Sequence, residues 1–126
     1  AAAGATLDFL ETNPVIRHLW RIGRQLQDEW NAIAKEYGVD IPCEGLAPRT
    51  TIRYPSAAHK TLIMQEMWRL GQMFTVGFTP TWAHTDDDVD HVLWAARRAL
   101  SVALVHWENP AEAVVGPVVG EVFRPR

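Results

Sequence analysis

Cysteine is almost absent from this chain. Cys43 is the only one, so no internal disulfide can form and no multi-cysteine metal site can be built. A reducing, cytoplasmic setting fits that usage. Lysine is nearly as scarce. Lys35 and Lys60 stand against ten arginines, and the formal net charge is only −3. Without a basic stripe, nucleic acid is not an expected partner. No apolar run approaches the length of about 18 residues that would suggest a membrane span. The alanine-rich start, Ala1–Ala5, lacks the basic residues and long apolar stretch of a signal peptide. No glycine-rich phosphate loop is present either. The abrupt start, without a methionine, suggests a fragment or a processed product.

What is present describes a globular domain. The chain has 126 residues, 48% of them hydrophobic, enough for one core without disulfides or metal. Six tryptophans are a high number for this length. They suit core packing or a covered domain interface better than a ligand pocket.

Periodicity sets the expected elements. Val15, Ile16, Leu19, Trp20, Ile22, Leu26, Trp30, Ile33, Ala34 and Tyr37 recur at helical spacing. Thr12 or Asn13 can cap that helix, with Pro14 in its first position and Gly38 at its end. Residues 5–11 can form a separate short lead-in helix. Two antiparallel strands are expected over Val39–Glu44 and Thr50–Tyr54, joined by a turn at Gly45–Arg49. Pro42 places the first of them at an edge. In the second, alternation gives one wet and one buried face.

A second amphipathic helix spans about Ala58–Leu70 and is closed by Gly71. Met73–Val76 reads as a short strand and Gly77–Thr85 as a loop. The next helix starts at Thr85, where Asp88 completes a capping-box pattern and Asp86, Asp87 and Asp88 favour the dipole. It runs to about Trp107. The fold class is α+β, a small antiparallel or mixed sheet with helices on one face, in the order α-β-β-α-β-α. Residues 1–107 form the domain. Residues 108–126 are a tail, with valine pairs around Gly116 and Pro117, either docked as a strand or loose.

Three blocks carry a resemblance. They are Pro14-Val15-Ile16-Arg17-His18-Leu19-Trp20-Arg21-Ile22-Gly23, then His59–Met67 with Gly71 and Phe74, then Ala83-His84-Thr85-Asp86-Asp87-Asp88-Val89-Asp90. In this order and spacing they resemble the C-terminal small domain of class III aminotransferases dependent on pyridoxal phosphate (PLP). The nearest branch is the glutamate-1-semialdehyde 2,1-aminomutases. The resemblance spans roughly Leu7–Trp107. It implies a parent enzyme, usually a dimer, that acts on amino and keto acids. Its large domain would hold PLP through a lysine Schiff base, a phosphate cup and an acid on the pyridine nitrogen.

The resemblance gives this chain no catalytic and no cofactor-binding residue of its own. It implies a partner large domain and, through the face left uncovered, self-association. The loop Phe78, Thr79 and Pro80 would form a rim of the substrate pocket. Many class III aminotransferases place a carboxylate-gripping arginine just before the final loop. The stretch Thr75–Pro80 has none, nor the acid frequent in the aminomutases, so substrate and reaction subtype stay open.

Other readings stand beside this one. The chain could act alone as a non-catalytic interaction or dimerisation domain. A metal-dependent hydrolase would rest only on His84, Asp87, Asp88 and His91, which an acid-rich helix start with surface histidines explains as well. Arg17, Arg21 and Arg24 could meet a phosphate, but a solvated helix face accounts for their spacing. Lys35 and Lys60 read as solvated lysines, and Cys43 as a buried thiol. Glu66 has no evident acid–base partner in the sequence.

Overall fold

The computed structural model describes residues 1–73 and 75–120. Its elements are α1 (Ala2–Thr12), α2 (Val15–Glu36), β1 (Cys43–Leu46), β2 (Arg49–Ile52), α3 (Ala57–Arg69) and α4 (Asp86–Val105), followed by a 3-10 turn at Pro110–Ala113. The architecture is α+β, with a two-stranded antiparallel sheet packed against helices.

The central helix, α2, buries Ile22, Leu26, Trp30, Ile33 and Ala34 along one stripe. Its start differs from the sequence expectation. Pro14 is the N-cap, and no side chain caps the helix. Asn13 instead closes α1, its amide and side chain both donating to the Phe9 carbonyl. Gly38 terminates α2 with a positive φ of 69°, a conformation in which a Cβ is strained.

The hairpin is shifted from the expected boundaries, with Cys43 opposite Ile52 and Gly45 opposite Thr50. Both of its edges are occupied. Along β1, the Asn31 side chain accepts from the Cys43 amide at 2.8 Å and donates to its carbonyl at 3.1 Å. Gln27 donates to the carbonyls of Cys43 and Gly45. Two side-chain amides of α2 thus stand in for a neighbouring strand. Along β2, the amides of Thr50 and Ile52 donate to the carbonyls of Phe78 and Val76, at 2.9 and 2.7 Å.

That second edge corrects the expected third strand. Met73, Thr75 and Val76 are not in strand conformation, and Phe74 lies outside the described residues. The chain instead meets β2 through the carbonyls of Val76 and Phe78 and through the Phe78 amide, which donates to the Thr50 hydroxyl. The approach is close enough that a Cβ on Gly77 would lie 2.2 Å from the Thr50 oxygen. Gly23 has the same role on α2, where a Cβ would lie 1.9 Å from the Ala47 oxygen in the hairpin turn.

Ion pairs and hydrogen bonds fix the helix directions. Arg21 pairs with Asp86 at 2.6 Å, Glu36 with Arg97, and the Tyr37 hydroxyl meets Ser101 at 3.0 Å. These successive contacts run α2 and α4 parallel. His59, early in α3, donates through Nε2 to the Trp107 carbonyl just beyond α4, so α3 runs antiparallel to α4. Ser56 caps α3, and Thr85 with Asp88 forms the full reciprocal capping box of α4.

The core lies between α2, α3, α4 and the hairpin, around Trp30, Ile33, Ile63, Met67 and Leu100. Trp30 donates its Nε1–H to the Ile41 carbonyl at 2.9 Å, which satisfies both buried groups. The other tryptophans are less buried. Trp20 and Trp107 are half-buried, and Trp68, Trp82 and Trp94 are exposed.

After the 3-10 turn, residues 114–120 pass along α3 as irregular chain, bent at 115–117, without joining a strand ladder. The Gln65 side chain donates to the Ala113 carbonyl and accepts from the Val115 amide, and Thr61 accepts from the Val119 amide. The rest of the tail, 121–126, is outside the described residues. Among the described residues, no helix is long and apolar enough to cross a membrane.

Candidate functional site

Where the loop 77–84 passes between α2, the end of α3 and the start of α4, the surface opens into a cleft of about 310 Å³. Ile22, Leu26, Met67, Val89 and Val92 form its apolar wall. Gln72, Thr79, His84 and Asp88 supply its polar groups. The apolar stripes of α2, α3 and α4 therefore have two roles. Most of each stripe is core, and the cleft takes the middle of the α2 stripe, the end of α3 and the start of α4.

Phe78, Thr79 and Pro80 all line this cleft. They differ in exposure. Phe78 is 6% exposed and packs edge-on against Trp30, with ring centroids 5.7 Å apart. Pro80 is buried, and only Thr79 reaches solvent. The rim is thus anchored at Phe78 and Pro80. A buried Thr50 holds it from below, its hydroxyl accepting from the Phe78 amide at 2.9 Å.

The floor near α4 is ordered by a turn of its own. His84 Nδ1 accepts from the Thr81 amide at 2.8 Å, so the neutral ring carries its proton on Nε2. His18 Nε2 donates to the His84 carbonyl at 3.0 Å and ties this turn to α2. Asp88 Oδ2 accepts from the Thr85 amide at 2.7 Å and from its hydroxyl at 2.8 Å. Those two hydrogen bonds to the carboxylate hold Asp88 below the usual aspartate range.

The histidines and aspartates considered as a metal cluster are separated by these roles. Asp87 is on the exposed surface, and the His91 ring stacks edge-on with Trp94 at 5.6 Å. Among the described residues, no three His, Cys, Asp or Glu side chains gather where they could hold a metal. Arg17, Arg21 and Arg24 lie with Trp20 on an open surface. Arg21 is paired with Asp86, and Arg24 lies over the Trp20 ring at 5.3 Å. Glu66 is buried, and its partners are Arg69 at 2.6 Å and Gln65. Cys43 is buried beneath the hairpin, and that burial pushes its thiol up.

Sequence reasoning singled out Phe78, Thr79 and Pro80, which line this cleft, but not Thr50, Gln72 or His84 as their neighbours. Thr50 carried one signal, since strand alternation put it on the buried face. Gln72 and His84 lie in irregular chain, where no periodicity points inward.

A PLP group held as a Schiff base requires a lysine. Among the described residues, no lysine lines the cleft. Lys35 is exposed in the last turn of α2, and Lys60 is half-buried in the first turn of α3. These residues do not fit the anchoring of PLP.

No protein-family model and no curated protein matches the chain. A solved structure does. It is the PLP internal aldimine form of the FumI protein of Sphingopyxis sp. MTA144, similar with a TM-score of 0.80 and 22% sequence identity. The match covers 90% of this chain and 29% of that one. At this identity the likeness establishes a shared fold. The chain spans less than a third of the length of the protein it matches.

Proposed function

We propose that this chain is the small domain of a PLP-dependent enzyme of the aminotransferase or aminomutase kind. The observation that carries the reading is the fold match to a minor portion of a PLP-bearing protein. Independent support comes from the three sequence blocks, which fall on α2, on α3 with the segment after it, and on the capping turn of α4. In this reading the PLP and its lysine belong to a large partner domain, and the parent acts on amino and keto acids in the cytoplasm, as a dimer. Residues 1–107 are the domain, and residues 108–120 belong to a tail docked on α3. This chain supplies a rim, Phe78, Thr79 and Pro80, set on the rigid pair of Thr50 and Trp30.

The lead-in helix gives a second physical reason. None of the 11 residues of α1 is buried, while Leu7, Phe9 and Leu10 are exposed apolar side chains. A helix that short is marginal in water without a packed face. Its only ring contact among the described residues is the edge of Phe9 against Trp82, at 6.0 Å. A large domain covering this side would complete α1.

The test is reconstitution. The chain mixed with PLP should show no visible absorbance that depends on Lys35 or Lys60, checked with Lys35→Ala and Lys60→Ala. Co-expression with the region encoded upstream should yield a complex that binds PLP through a lysine of that region. A lysine-bound PLP band on this chain alone, or an upstream region without such a lysine, overturns the reading.

A further inference from the structure

Three of the six charged residues of α4 are engaged within the chain, and Asp87 is exposed in its first turn. Asp86 pairs with Arg21, Asp88 closes the capping box, and Arg97 pairs with Glu36. That last pairing raises the Arg97 guanidinium further above its ordinary value. Two charges in the middle of the helix differ. Among the described residues, neither Asp90 nor Arg98 is in an ion pair, and both are exposed.

Their placement is symmetric. The core side of α4 is Val89, Leu93, Ala96, Ala99, Leu100 and Ala103. At 3.6 residues per turn, the midline of the opposite face runs through Trp94, which is 45% exposed. Asp90 lies one turn before Trp94 and Arg98 one turn after it. Arg98 is held over the Trp94 ring at 5.5 Å, and His91 stacks against it from the other side. An aromatic side chain thus sits at the centre of an outward face, with one unpaired acid and one unpaired base equally spaced about it.

We infer that this face of α4 packs against the same face of a second copy of the chain, antiparallel, about a twofold axis at Trp94. In such an isologous pair, residues equally far from the axis residue meet. Asp90 meets Arg98 of the other copy and Arg98 meets its Asp90, so two ion pairs form around two tryptophans. Asp87 falls opposite Ser101. A parallel pairing would set Asp90 against Asp90 and Arg98 against Arg98. Charge therefore selects the antiparallel arrangement. The central Trp flanked by charge is the composition on which interface energy concentrates. A face carried by one 20-residue helix is smaller than a standard interface, so the dimer is weak. The inference does not depend on the PLP reading.

Sedimentation equilibrium of the full chain from about 20 µM to about 1 mM is the measurement, a range suited to weak association. The weight-average mass should rise from that of one chain toward that of two. Asp90→Arg and Arg98→Asp should each weaken the dimer at least tenfold, because each puts like charges at both crossings. The double variant D90R/R98D should restore it, since the pairs are then reversed but complementary. Should a charge swap disturb folding, as read by circular dichroism, Asp90→Asn and Arg98→Gln replace it, and each should still weaken the dimer. A monomer across the whole range overturns the inference. So does a dimer indifferent to these substitutions, which would place association on another face, such as α1 or Trp68. Loss in both single swaps without recovery in the double overturns the pairing.

Discussion

Thr50 and Phe78 are joined through both backbone and side chain, and a longer contact of 3.4 Å links the Thr50 hydroxyl to the Phe78 carbonyl. The Thr50 amide donates to the Phe78 carbonyl at 2.9 Å, and the Thr50 hydroxyl accepts from the Phe78 amide at 2.9 Å. Both residues are buried, so neither bond competes with water. This is how a loop without strand conformation is held to the sheet as firmly as a strand. The Thr50→Val variant keeps the shape and removes the acceptor, leaving the Phe78 amide without its partner. An unmatched buried donor costs roughly 1–3 kcal/mol. Urea unfolding should show that loss, and hydrogen exchange at Phe78 should accelerate more than exchange in α2. An unchanged Phe78 exchange rate would mean the loop is held by something else.

Helices α2, α3 and α4 were legible because each carries an amphipathic stripe with local boundary signals, such as Gly38, Gly71 or the Thr85 cap, whereas α1, which buries nothing, runs beyond the expected 5–11. The capping box at Thr85 and Asp88 was legible for the same reason, since its two partners are close in sequence. The hairpin was placed a few residues off because its register depends on Asn31 and Gln27, which reach it from α2. The edge at Val76 and Phe78 depends on carbonyl bonds to residues far away in sequence, and no local pattern encodes them. Phe78, Thr79 and Pro80, which line the cleft, were singled out through a family resemblance. The cleft's polar groups, Gln72 and His84, were not, because their position follows from the convergence of α2, the end of α3 and the start of α4. Of the six tryptophans Trp68, Trp82 and Trp94 are exposed, and Trp94 gave the charge pattern of α4 a centre.

Gly23 sits in the middle of α2, where glycine ordinarily weakens a helix by roughly 0.5–1 kcal/mol relative to alanine. Propensity alone would therefore make Gly23→Ala stabilising. The hairpin turn reverses the sign. The new Cβ would lie 1.9 Å from the Ala47 oxygen and 2.4 Å from its carbonyl carbon, both backbone atoms. Relieving that overlap requires α2 and the hairpin to separate, at a cost of roughly 1–3 kcal/mol. Gly4→Ala is the internal control, since nothing lies within 4 Å of its Cβ position and α1 should gain helix. Thermal melts of the two variants should move in opposite senses, or Gly4→Ala should leave the melt unmoved while Gly23→Ala lowers it.

The capping box gives a pH signature. The Thr85 amide and hydroxyl stabilise the Asp88 carboxylate in the folded chain, so its folded pKa is below its unfolded one. A depressed acid contributes stability above its unfolded pKa and loses it as pH falls through the folded pKa. The contribution should therefore be present above about pH 4 and vanish on further acidification. Asp88→Asn should remove this acid-side slope while leaving the neutral-pH fold intact. Melting temperature against pH for the two proteins should converge at low pH. Parallel curves would show that Asp88 is not the group responsible.

The tail is fixed to α3 by two side chains, which makes its docking separable from the core. Gln65 uses both ends of its amide, accepting from Val115 at 2.7 Å and donating to Ala113 at 3.0 Å. Thr61 accepts from Val119 at 2.9 Å while its own hydroxyl donates to Ala57 within α3. Gln65 is half-buried, so each bond contributes roughly 0.5–1.5 kcal/mol, too little for its loss to unfold the domain. Pro110 is buried and Val114 packs on the core, so the 3-10 turn has an anchor of its own. Gln65→Ala should therefore free the chain beyond Val114 and leave the turn in place. Limited proteolysis should then cut faster between Val115 and Gly120, with the fragment ending near Val114 stable to further digestion. Thr61→Val should speed cleavage only toward Val119. If Gln65→Ala instead releases the chain from Trp107 onward, the turn depends on Gln65 as well, and the tail docks as one cooperative piece.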